Sequence, residues 1–181
     1  MKGTYRLCLL WAAVACSAIR AEAPNQEPVL TSPLSALGQA EQRECEAFGE
    51  TYLRLTELRD AGADKAVAVN RGVEFLSGLG RTGSHDRGKN YKPAVRQFAD
   101  FVYGNKKLMR GTLYLYGLSS CAISKKARDD ASFDRAMDML DASTGRCQKQ
   151  HPDHAQIKQL GRCMLNPVND LLQQWAALEP K

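Results

Sequence analysis

Apolar residues recur every three or four positions along most of this chain, which is the spacing of helices that pack through one face. The first face, within residues 34–61, is carried by Ala40, Cys45, Phe48, Tyr52, Leu55 and Leu58. Later faces include Val69, Val73 and Leu76, then Val95, Phe98 and Val102, then Leu115, Leu118 and Cys121, then Phe133, Met137 and Leu140. The stretch LYLYGL at 113–118 favours a strand by composition, but it has no second strand to pair with. We therefore expect an all-α fold, an irregular bundle of about six helices.

Residues that cap or break helices mark the expected boundaries. Gly62 ends the first helix, with Arg59 in its last turn, and Asp64 can cap the second. Residues 78–92 hold four glycines and predict a long exposed loop, and residues 106–123 predict one helix. Further helix starts are expected at Ser32-Pro33, Pro93, Asp129, Asp153 and Asn166-Pro167.

The N-terminal segment has the pattern of an export signal. Lys2 and Arg6 precede an apolar run at 7–16, and small residues follow, as in secretory signal peptides. We expect a signal peptide at 1–21, a flexible leader at 22–32 and a single helical domain at 33–181. Cleavage after Ala21 or after Ala23 fits this pattern. The sequence Ala-Val-Ala-Cys ending at Cys16 also resembles a bacterial lipobox, in which case Cys16 would carry a lipid anchor.

Removing the signal changes the charge. The 181 residues hold 25 basic and 20 acidic side chains, a net charge of +5. Lys2, Arg6 and Arg20 leave with residues 1–21, so 22 basic residues remain against 20 acidic ones, a net charge of +2. This near-neutral balance argues against a nucleic-acid partner. The longest apolar run is also too short for a bilayer span, which needs about 20 residues, so a multi-pass membrane protein is excluded.

Four cysteines remain outside the signal: Cys45, Cys121, Cys147 and Cys163. An even number in an exported chain indicates disulfides, and three pairings are possible. We expect Cys45–Cys121, which ties the first helix to a central one, and Cys147–Cys163, which brings two helices together antiparallel. A zinc site usually contains a close cysteine pair, and the chain has none.

Motifs for catalysis or cofactor binding are weak. Residues 83–89 match the spacing G-x-x-x-x-G-K of a phosphate loop, but Asn90 stands where Ser or Thr is required. His151 and His154 flank Asp153, an arrangement that fits a helix-capping turn better than a metal site. We assign no catalytic, cofactor-binding or metal-ligating residue, and we expect no cofactor.

Basic side chains offer a candidate recognition surface. Lys106, Lys107 and Arg110 lie at the start of one predicted helix, and Lys125, Lys126 and Arg128 follow its end. Such clusters suit an anionic lipid, a cell-wall polymer or an acidic protein face, although ordinary solvation of helix ends explains them better. With the glycine-rich loop, which is adaptable, the candidate surface consists of Arg81, Arg87, Lys89, Lys106, Lys107 and Arg110.

The chain resembles small exported disulfide-stapled helical proteins of Gram-negative bacteria. The resemblance rests on Cys45, Tyr52, the segment Leu58-Arg59-Asp60-Ala61-Gly62, Phe101-Val102-Tyr103 and Cys121. It implies a periplasmic or outer-membrane location and carries over no catalytic residue.

We therefore expect an exported, non-enzymatic interaction protein. By analogy of size, location and fold class, its most concrete role is that of a periplasmic immunity or inhibitor protein. Its partner would be a protein of the cell envelope, with membrane contact only if Cys16 is acylated. The alternatives are a cell-envelope enzyme acting on cell-wall or lipid substrates, and a structural lipoprotein anchored through Cys16.

Overall fold

The computed structural model describes residues 33–80 and 90–177. Six α-helices follow one another: α1 Gln39–Asp60, α2 Lys65–Gly80, α3 Lys92–Gly104, α4 Arg110–Lys126, α5 Asp130–Gln150 and α6 Ile157–Ala177. Short 3-10 turns occupy Pro33–Ala36 and His154–Gln156. The described residues form no strand, and none of their helices is long and apolar enough to cross a membrane. The predicted all-α bundle is confirmed. The predicted signal peptide at 1–21, which includes Cys16, and the predicted flexible leader at 22–32 lie outside the described residues.

Several helix ends are where the capping residues predict them. Gly62 has a positive φ of 78°, and the N–H of Ala63 donates to the carbonyl of Leu58 at 2.9 Å. This Schellman-type end closes α1. At the start of α5, the carboxylate of Asp129 accepts from the N–H of Ser132 at 2.7 Å. This hydrogen bond is the main cause of a lowered pKa for Asp129.

Other boundaries differ from the predicted ones. The expected helix from residue 34 is interrupted at Gly38, so a 3-10 turn precedes α1. Helix α2 continues to Gly80, three residues into the predicted loop, and α4 begins at Arg110 rather than at residue 106.

The prediction that Asn166-Pro167 opens the last helix is wrong, because Pro167 lies inside α6. A proline in a helix interior removes one backbone hydrogen bond and costs about 3 kcal/mol. The helix continues through it because Leu160, Met164 and Val168 form one buried face on both sides of the proline. Burying that face outweighs the missing hydrogen bond.

Helices α1 and α4 form the central antiparallel pair. The disulfide Cys45–Cys121 joins them, and their backbones approach closely one turn further along. A Cβ atom added to Gly117 would lie 2.6 Å from Cδ2 of Tyr52 and 3.1 Å from Cα of Gly49. Glycine is therefore required at 117, because any side chain would force the two helices apart.

The remaining helices form a layer on each side of this pair. Helices α2 and α3 pack against each other and against α1, while α5 and α6 pack against each other and against α4. The second disulfide, Cys147–Cys163, joins α5 to α6, so both predicted pairings are confirmed. Disulfides are typical of oxidising compartments, which agrees with an exported protein.

Candidate binding surface

The α3–α4 turn, residues 105–109, is held by a buried arginine from α1. The side chain of Arg59 is 8% exposed. Its Nη1 donates to the carbonyls of Val102 at 3.1 Å and Asn105 at 3.2 Å, and its Nη2 donates to that of Leu108 at 3.4 Å. A guanidinium group has donors in a rigid planar fork. The path of the turn is therefore fixed from the α1 side.

The same guanidinium group is paired with Asp60. One carboxylate oxygen of Asp60 accepts from Nε and Nη2 of Arg59 at 3.0 and 2.8 Å. The other oxygen accepts from Nε of Arg110 at 3.2 Å. Burial alone would raise the pKa of Asp60, but these hydrogen bonds and the two positive charges outweigh it and lower the pKa. Asp60 is therefore a stable carboxylate that links the end of α1 to the start of α4.

Helix α5 fixes the turn from the opposite side. The side-chain oxygen of Gln148 accepts from the N–H of Met109 at 3.2 Å and from the hydroxyl of Thr112. Met109 is the N-cap of α4 and has no capping side chain of its own, so Gln148 provides the missing acceptor. Gln148 follows Cys147, and the disulfide to α6 therefore anchors the helix that carries it.

Lys106 and Lys107 project from this fixed turn. Both residues are exposed, and neither has a hydrogen-bond or ion-pair partner within the parts of the chain that the structure describes. A rigid backbone lowers the conformational entropy that binding must remove. We call residues 105–109 with Arg110 the lysine turn, a preorganised surface with two uncommitted positive charges.

Only half of the predicted recognition surface lies within the described residues. Lys106, Lys107 and Arg110 are brought together in the lysine turn, whereas Arg81, Arg87 and Lys89 lie outside the described residues. The helix ends that flank those three are at the opposite end of α3, about 20 Å away by helix rise. A single surface made of all six residues stays a prediction.

The second basic cluster is used internally. Nζ of Lys125 lies 2.7 Å from a carboxylate oxygen of Glu44 on α1, and both side chains are more than two-thirds buried. Nη2 of Arg128 donates to the carbonyl of Trp175 at 3.2 Å. These contacts tie α4 to α1 and to the end of α6, which leaves this cluster less available for a partner.

The histidines fall at the predicted capping turn. His151 ends α5, His154 lies in the following 3-10 turn, and Asp153 caps that turn by accepting from the N–H of Ala155 at 3.0 Å. Within residues 33–80 and 90–177, no group of three or more His, Cys, Asp or Glu side chains is placed to hold a metal ion.

A tyrosine–aspartate pair lies at the edge of the aromatic core. Tyr116 stacks on Phe101 with ring centroids 4.0 Å apart, and its hydroxyl donates to the carboxylate of Asp141 at 2.8 Å. Burial, followed by this hydrogen bond and the negative charge of Asp141, raises the pKa of Tyr116. The hydroxyl therefore stays protonated and ties α4 to α5, a structural role rather than that of a general base.

Sequence reasoning missed the central role of Arg59. The pattern identifies it only as a basic residue in the last turn of α1, whereas its partners lie 43 to 49 positions later. The segments that carry the resemblance, 58–62 and 101–103, are in fact in contact. The hydroxyl of Tyr103 also donates to the carbonyl of Ala63 at 2.7 Å, which closes the same junction.

These features define a class of protein: an all-α bundle with two disulfides and a rigid basic turn at one end. In comparisons with known proteins, no family model, curated protein or solved structure matches the chain.

Proposed function

We propose that the protein is an exported, non-enzymatic binding protein that docks an acidic face of another protein through the lysine turn. The main support for this proposal is the geometry of the turn. Arg59, Asp60 and Gln148 fix its backbone from two sides. Lys106 and Lys107 have no partner among the described residues. Charges held on a rigid backbone favour specific recognition of an oppositely charged surface.

The location follows from the disulfides and the predicted signal peptide. Two disulfides fit an oxidising compartment, and residues 1–21 have the pattern of a secretory signal peptide. We place the protein in the periplasm or at the outer membrane, the latter if Cys16 is acylated. An immunity or inhibitor protein that covers an acidic region of a secreted toxin or enzyme is the most concrete form of this proposal.

The size of the patch favours a protein over a polyanion. Lys106 and Lys107 are the uncommitted charges, because Arg110 is already paired with Asp60. Binding to a nucleic acid or a charged polymer depends on neutralising many charges at once, and two lysines supply few of them. An acidic protein face needs only a small number of well-placed pairs, which determine specificity more than affinity.

Affinity capture with matched variants tests the proposal. The full chain, its Lys106→Glu/Lys107→Glu variant and an Arg135→Glu/Arg146→Glu control would each be used on cell-envelope extract. The control has the same charge change at exposed positions of α5. We expect one protein to be enriched by the native chain and the control, with at least tenfold less recovered by the lysine variant and with loss at high salt. Equal recovery by all three, or no enriched protein, would overturn the proposal.

A further inference from the structure

An open groove of mixed polar and apolar lining lies between α2 and α3. Its volume is about 570 Å³, and it is lined by residues at the start of α2 and along α3. We propose that this groove takes an extended acidic segment of the partner, whose far end reaches Lys106 and Lys107. The inference rests on the proposed function, since it names the shape and chemistry of what the same surface binds.

The α3 wall of the groove carries uncommitted positive charge. Lys92 and Arg96 are one helical turn apart and both are exposed. Neither side chain has a partner within the described ranges 33–80 and 90–177. The carboxamide of Asn70 faces them from α2. This arrangement suits a carboxylate side chain, which can accept from the cations and from the amide N–H groups.

The floor of the groove is apolar. Val69 is 7% exposed and belongs to the core, and Ala66 lies beside it in the lining. A segment that places acidic side chains on the α3 wall can therefore bury a small apolar side chain against α2. Burial of apolar area adds affinity that a purely ionic contact lacks.

The end of the groove nearest the lysine turn is neutralised. Nζ of Lys65 lies 2.7 Å from a carboxylate oxygen of Asp100, which bridges the two helices. Asp64 uses one carboxylate oxygen to accept from the N–H of Ala66 at 3.3 Å. With Lys65, Lys92 and Arg96 against Asp64 and Asp100, the lining has one excess positive charge, so an acidic segment is attracted toward its α3 wall.

The geometry sets the length of the segment. Helix α3 has 13 residues, so Lys92 is about 20 Å from the lysine turn along the helix axis. About six residues of extended chain span that distance. Asp100, the lining residue nearest the lysine turn in the sequence, is five residues before Asn105, so about 8 Å of helix rise separates the groove from the turn. The expected ligand has acidic residues at both ends and a small apolar residue between them.

Synthetic peptides test this inference separately from the proposed function. The long probe is fluorescein-labelled Glu-Glu-Ser-Val-Ser-Ser-Glu-Glu, and the short probe is labelled Glu-Glu alone, both measured by fluorescence anisotropy at low salt. The full-chain variants are Arg96→Glu, Lys106→Glu/Lys107→Glu and the control Arg135→Glu. All four positions are exposed, and circular dichroism would verify that each variant is folded.

We expect Arg96→Glu to weaken binding of the long probe at least fivefold and to leave the short probe unchanged. The lysine variant weakens both probes, and the control weakens neither. If Arg96→Glu leaves the long probe unchanged while the lysine variant weakens it, the groove proposal fails and the proposed function stands. If only Arg96→Glu weakens binding, the lysine turn is not the surface. No measurable binding of either probe at millimolar concentration overturns the groove proposal, and the capture experiment still decides the function.

Discussion

The two ends of α4 carry nearly the same basic signal in the sequence, and the fold uses them differently. Lys125 at the C-terminal end pairs with Glu44, and Arg128 donates to the end of α6. At the N-terminal end, Lys106 and Lys107 remain uncommitted among the described residues. Both lysine pairs lie at a helix C-terminus, where the helix dipole favours positive charge, so local electrostatics does not distinguish them. The packing of α1 does, because it places the Glu44 carboxylate beside Lys125. At the lysine turn it places Arg59 and Asp60, which bond to backbone carbonyls and to Arg110.

Of the substitutions that test this difference between the two ends, Arg59→Met has the largest expected effect on stability, because it removes the guanidinium group that holds the lysine turn. Three carbonyls on α3 and in the turn lose a charged donor, which destabilises the protein by about 3 kcal/mol. Urea unfolding measures the loss, and hydrogen exchange of amides 105–109 should become faster. The control is Arg43→Met at an exposed position of α1. Unchanged exchange in the turn would show that Arg59 does not fix it.

Asp60→Asn should lower the free energy of unfolding by a smaller amount, and the loss should depend on pH. Because the pKa of Asp60 is lowered in the folded state, its carboxylate stabilises the protein above its unfolded pKa of about 3.9. That contribution is lost as pH falls through the folded pKa. Since its side chain is 36% exposed, solvent screening limits the loss at pH 7 to about 1 kcal/mol. Urea unfolding of both proteins should show the difference shrinking toward zero at the acid end. A difference that stays constant with pH would contradict the assignment.

Lys125→Met and Lys106→Met have the smallest expected effects on stability, and they compare the two ends of α4 directly. Lys125→Met should destabilise the protein by about 0.5–1 kcal/mol, since its ion pair with Glu44 is partly buried. Lys106→Met should change stability by less than about 0.5 kcal/mol. A double-mutant cycle with Glu44→Gln isolates the Lys125 pair. Equal losses for both lysines would show that Lys106 is also used internally.

Features set by nearby residues could be predicted. Gly62 ends α1 and Asp129 caps α5 because both act through contacts within five positions. The sequence allows three disulfide pairings, and the expected helix order favours the observed one, since Cys147 and Cys163 flank a single turn. The apolar spacing also predicts α6 as one uninterrupted helix, because Leu160, Met164 and Val168 continue one face past Pro167. A proline by itself predicts a new helix start at this position, but burial of the apolar face decides the outcome.

The candidate surface could be predicted only in part. Its basic residues are visible in the sequence, yet no neighbouring residue indicates that Lys125 forms an internal ion pair and Lys106 does not. The separation depends on which helix packs alongside each end of α4. The groove between α2 and α3 also depends on helix packing, since Asn70 and Arg96 line one groove only after the two helices pair.

The amino-acid sequence by itself determined the helical class, most of the helix ends and the cysteine framework, because apolar periodicity, capping and turn residues act over short distances. Only the tertiary structure decided which charges are used internally and which have no internal partner among the described residues. Arg59 is buried against carbonyls more than 40 positions away. Such contacts depend on helix packing across the whole chain, where burial and geometry outweigh any local preference.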